Sequence, residues 1–93
     1  MEGHREAMET DEKRILVVED ETVIRDAVSA YLERENYTVR GVGDGQSAVE
    51  EFEKHSFDLV ILDLMLPKLN GFQVARTLRK ERKGIAILML TAK

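Results

Sequence analysis

The residues best able to do chemistry are acids that follow apolar runs. Glu19 and Asp20 come directly after RILVV, Asp63 interrupts DLVILDLMLP, and Thr91 follows IAILML. An ionised carboxylate carried into a dry interior without a partner is so costly that it takes up a proton instead. Asp63 therefore marks the point where an apolar run ends and a site begins. If the runs holding Glu19, Asp20 and Asp63 lie side by side, their carboxylates converge and raise one another's pKa unless a cation neutralises them. A hard divalent ion with oxygen ligands, Mg2+ for preference, suits such a site. A single acid at a strand end is more often a helix N-cap or a solvated loop residue. Capping needs alone do not readily produce the whole combination.

The elements that must position these groups follow from the periodicities. RILVV reads as a strand buried on both faces. Val23, Ile24, Ala27, Val28, Tyr31 and Leu32 then fall at helical spacing, with Arg25, Asp26, Glu33 and Arg34 covering the other side. Residues 37–42 form a second strand, and residues 45–54 a short helix with Ala48, Val49 and Phe52 on one face. Residues 58–62 are the third strand. LPKLNG is a loop, residues up to Glu81 with Phe72, Val74, Ala75 and Leu78 are a third helix, and residues 85–90 are the fourth strand. Met65, Met89, Phe52, Phe57 and Phe72 read as packing, and His4 and His55 have no ligand-like spacing. Strands alternating with helices predict an α/β doubly wound parallel sheet with right-handed crossovers. In such sheets ligands bind beyond the carboxyl ends of the strands, at the switch in winding direction.

Composition bounds the alternatives. Ninety-three residues, 43% apolar and 34% charged, describe one soluble globular domain with a modest core. Residues 1–13, MEGHREAMETDEK, lack apolar periodicity and read as a mobile leader, leaving residues 14–93 as the domain. The longest apolar runs, LVIL and IAILML, are far shorter than the roughly 20 residues of a membrane helix. A formal net charge of -4 argues against a general nucleic-acid surface. The absence of cysteine excludes disulfides and thiolate metal sites and fits a reducing cytoplasm.

Three stretches, ILVVEDE at 15–21, DLVILDLMLPKLNG at 58–71 and ILMLTAK at 87–93, together resemble the receiver domains of bacterial two-component response regulators. The resemblance implies a flavodoxin-like sheet of order 2-1-3-4, with the family's fifth strand and last two helices missing. It implies that Asp63 accepts a phosphoryl group from a phosphohistidine of a sensor histidine kinase. Asp20 would ligate Mg2+ directly and Glu19 through water, with the Met65 backbone carbonyl as a further ligand. Thr91 would be the switch hydroxyl. Such a domain assists its own phosphorylation and dephosphorylation without being a conventional enzyme. The parent protein would carry a C-terminal output domain, for instance a DNA-binding one.

Lys93 stands two residues after Thr91 and does not match the family's essential lysine at the end of its fifth strand. The expectations are retained Mg2+ affinity with phosphorylation much slower or absent, and an apolar IAILML edge that invites an oligomer or a strand-completing partner. A phosphatase of the haloacid dehalogenase type wants a second Asp two residues after the first, where Met65 stands. GVGDG at 41–45 lacks the spacing of a dinucleotide fingerprint, and turn glycines explain it. The remaining rival is a receiver-like module that only binds partners or oligomerises without being phosphorylated.

Overall fold

Four parallel strands in the order β2-β1-β3-β4 form the centre of the computed structural model. The structure describes residues 12–66 and 70–90. Strand β1 is Arg14–Val18, β2 Thr38–Val42, β3 Leu59–Asp63 and β4 Ala86–Leu90. Helix α1 is Thr22–Arg34, α2 Gly45–Lys54 and α3 Gly71–Glu81. This is the flavodoxin-like order expected from the sequence. Thr91, expected at the end of β4, and Lys93, expected in the loop that follows, lie outside the described residues.

The two central strands are apolar because both of their faces are covered. Ile15 through Val18 and Val60 through Leu62 are all buried. Alternation along these strands splits the core into two layers. Leu16, Val18, Val60 and Leu62 pack with Ala48 and Phe52 of α2 and Val74, Ala75 and Leu78 of α3. Ile15, Val17 and Ile61 face the other way, where Val28 and Leu32 of α1 partly cover them. Burying a side chain of the size of Leu16 or Leu78 contributes about 1.5–3 kcal/mol.

Local signals start the helices on the thicker layer. Asp44 accepts a hydrogen bond from the Ser47 amide at 2.7 Å and caps α2. Asn70 and Gln73 form a reciprocal capping box at the start of α3. Such caps contribute about 1 kcal/mol each.

Helix α1 departs from expectation. None of its residues is buried, and Val23, Ile24 and Tyr31, read as part of its inward face, are exposed. The physical reason is coverage: among the described residues α1 alone packs on its side of the sheet, so only part of its apolar stripe finds a partner. Phe72 and Met65 are also exposed, which overturns their reading as packing residues. The third strand runs one residue further than read, so Asp63 closes β3 instead of following it, paired in register with Leu90.

Candidate functional site

The winding direction reverses at β1, whose neighbours are β2 on one side and β3 on the other. The crevice at the carboxyl ends of β1 and β3 is therefore the expected ligand position. Glu19 and Asp20 leave β1 there, and Asp63 ends β3.

Backbone and side chain of Glu19 are both engaged. Its amide donates to the Val42 carbonyl at 3.0 Å, extending the β1–β2 ladder by one bond. Its carbonyl accepts from Arg25 Nη1 at 2.8 Å. Its carboxylate Oε2 accepts from the Glu21 amide at 3.1 Å. Asp63 is held by a tight turn in which Oδ1 accepts from the Met65 amide at 3.0 Å. Both acids are buried, Glu19 at 6% and Asp63 at 7% relative exposure, whereas Asp20 is exposed.

Glycine explains how α3 comes so close to Asp63. A Cβ on Gly71 would lie 2.7 Å from Leu64 Cα and 2.9 Å from the Asp63 carbonyl oxygen. Only a residue without a side chain fits there, and its amide donates to the Leu64 carbonyl at 3.1 Å. The Leu64 amide in turn donates to the Leu90 carbonyl at 3.0 Å. Asp63 thus sits where β3, β4 and the start of α3 meet.

Carboxylate oxygens of Glu19, Asp20 and Asp63 all lie within 4.8 Å of one another. The Glu19 pKa is raised above its ordinary value of 4.5, first by burial and then by the charges of Asp63 and Asp20, against the lowering effect of the Glu21 amide. Oxygen-only donors, two of them buried and mutually repelling, fit a hard divalent cation in chemistry and charge. The expected convergence of the three acids is thus present. The position of Met65 relative to it is defined by its amide on Asp63. Two open cavities of about 300 and 160 Å3, lined by residues such as His55, Phe57, Arg14 and Arg82, lie at the opposite end, around the amino ends of the strands.

Fold and pocket together define an acidic-pocket α/β domain of the doubly wound class. Residues 15–93 match the family model described as the response regulator receiver domain. The chain is 45% identical over 85 residues to the transcriptional regulatory protein ResD of Bacillus subtilis, covering 91% of this chain and 35% of that protein. It is 47% identical over 89 residues to the regulatory protein SphR of Synechococcus elongatus, covering 86% of this chain and 35% of the relative. The chain thus spans about a third of the length of the curated relatives it matches. Among solved structures it superposes on TrrA of Thermotoga maritima in complex with Mg2+-BeF, with a TM-score of 0.83, 41% identity and coverage of 87% of this chain and 70% of that one. Chemotaxis protein CheY4 of Vibrio cholerae gives a TM-score of 0.86 at 33% identity, covering 88% and 70%. The chain belongs to the response regulator receiver domain family, the signalling domains of two-component systems.

Two residues at the site escaped the sequence reading. Spacing alone puts Arg25 on the solvated side of α1, and Gly71 in the LPKLNG loop. The Gly41 and Gly43 pair points to Arg25 only in the structure: neither has a positive φ, so neither is a turn glycine in the conformational sense. Their missing side chains leave room for the Arg25 stem and guanidinium. No described helix is long and apolar enough to cross a membrane.

Proposed function

We propose that the domain is a phosphorylation switch in which Asp63 accepts a phosphoryl group from a histidine kinase in the presence of Mg2+. The observation that carries this reading is the convergence of Glu19, Asp20 and Asp63 at the carboxyl ends of β1 and β3. Two structures of one relative support it: TrrA in complex with Mg2+-BeF, and TrrA in complex with the histidine kinase ThkA. Asp20 and Asp63 would hold the ion directly, Glu19 through water, and the Met65 carbonyl would add a further oxygen. Bound there, Mg2+ would supply positive charge to offset that of the phosphoryl oxygens.

The chain's own residues do the rest. The Met65 amide holds Asp63 Oδ1, which leaves Oδ2 as the attacking oxygen. It forms the new O–P bond as the P–N bond of the donor phosphohistidine breaks, and the electron pair returns to the imidazole, which takes up a proton. Glu19, braced by Glu21 and Arg25, keeps the acidic wall in place. Thr91, next in sequence after Leu90, is the hydroxyl assigned to the phosphoryl oxygens. Added negative charge at the junction of β3, β4 and α3 is then able to bias the surface that a partner reads.

The test is incubation with Mg2+ and acetyl phosphate or phosphoramidate, followed by intact mass. We expect a Mg2+-dependent gain of one phosphoryl group that disappears in Asp63→Asn. An adduct that persists in Asp63→Asn, or none even in a length-completed chain, overturns the proposal.

A further inference from the structure

A side chain beside the pocket that is not one of its acids is also held in place. Arg25 leaves the first turns of α1, and its guanidinium reaches the end of β1, where Nη1 donates to the Glu19 carbonyl at 2.8 Å. Nη2 lies 3.5 Å from Thr22 Oγ1 on the same helix. On its way the side chain passes directly against the end of β2. A Cβ at Gly41 would stand 3.2 Å from both Cγ and Cδ of Arg25, and one at Gly43 would stand 3.1 Å from Nη1. Both glycines of the GVG stretch are thus places where any side chain would press on Arg25.

We propose that Arg25 is a positioning residue for the acidic pocket, fixing the Glu19–Asp20 peptide from behind through the space that Gly41 and Gly43 leave open. This inference rests on the metal-binding reading above. The physical link is peptide planarity: the Glu19 carbonyl oxygen and the Asp20 nitrogen and Cα belong to one rigid plane. Anchoring the oxygen fixes the direction in which Asp20 leaves β1. The other edge of Glu19 is already tied by its amide to Val42, so Arg25 completes a two-sided hold on the residue that precedes Asp20. A guanidinium also brings a permanent positive charge to a turn that carries Glu19, Asp20 and Glu21, without supplying an oxygen that could compete as a ligand.

Groups that orient metal ligands typically change metal affinity about 10–100-fold when removed. The experiment follows backbone amide NMR shifts during Mg2+ titration of the parent chain, Arg25→Gln, Arg25→Lys, Gly43→Val and Asp20→Asn, with urea denaturation of each in EDTA. We expect Arg25→Gln to weaken Mg2+ binding about tenfold. Arg25→Lys, which keeps one donor and the charge, recovers part of the loss. Gly43→Val displaces the guanidinium without altering any acid and weakens binding in the same direction, so it carries the test if Arg25→Gln does not fold. Parent-like Mg2+ affinity in both Arg25→Gln and Gly43→Val, with only the urea midpoint shifted, overturns the positioning role. Parent-like affinity in Asp20→Asn instead overturns the metal reading on which it rests.

Discussion

Neutralising Asp63 should make the metal-free domain more stable. Asp63→Asn keeps the shape of the side chain and an oxygen for the Met65 amide, and it removes one of two buried negative charges. Two charges 4.8 Å apart, the outer limit of the cluster, repel by about 3.5 kcal/mol at an effective dielectric constant of 20. The pocket opens at the carboxyl end of the sheet, where water and relaxation screen part of this, so a net gain of about 1–2 kcal/mol is expected. For a domain of this size that corresponds to a rise in Tm of about 4–15 °C. The assay is thermal and urea unfolding by circular dichroism, in EDTA and in Mg2+. In EDTA the variant should be the more stable protein. In Mg2+ the order should close or reverse, because a ligand at a hundred times its Kd stabilises the folded parent by about 2.7 kcal/mol. A variant less stable than the parent in EDTA, or one that Mg2+ stabilises as much as the parent, would refute the account of Asp63 as a repelled charge awaiting a cation.

Two further outcomes are expected. The raised Glu19 pKa means that the folded state keeps this proton to higher pH than the unfolded chain, whose value is near 4.5. Its stabilising contribution is full below pH 4.5 and is lost as pH rises through the folded pKa, the reverse of an ordinary paired carboxylate. In EDTA, Glu19→Gln should flatten this fall in urea midpoint above pH 4.5, and an unchanged pH profile would count against it. Gly71→Ala must push its Cβ into backbone atoms at 2.7 and 2.9 Å, which should cost about 1–3 kcal/mol in urea denaturation. A neutral effect would show that the start of α3 is not locked to Asp63.

Much of this architecture was legible because the central strands are buried on both faces. RILVV and DLVIL carry uninterrupted apolar runs, and the acids that end them stand out by contrast. The acidic pocket followed from topology, since parallel order brings the ends of β1 and β3 together. What was not legible depended on neighbours. Periodicity gave α1 an inward stripe, yet exposure of Val23, Ile24 and Tyr31 depends on what covers that side of the sheet. Phe72 sits two residues after the Asn70 cap, at a helical position facing outward, which a hydrophobic count does not distinguish from Val74. Gly41 and Gly43 look like turn residues in one dimension. Their role emerges only when Arg25, distant in sequence, is seen to pass them.

The two acids that converge most deeply stand on strands that are each paired on both sides, β1 between β2 and β3, and β3 between β1 and β4. Amide hydrogen exchange should reflect this: neither β1 nor β3 presents an open edge among the described strands, so their protons are released by larger openings than those of the outer strands. The repelling charges are thereby set into the backbone that yields last. Protection of the Val17 and Ile61 amides should follow global stability, so a cation that quiets the pocket would be read there as slower exchange in the middle of the sheet.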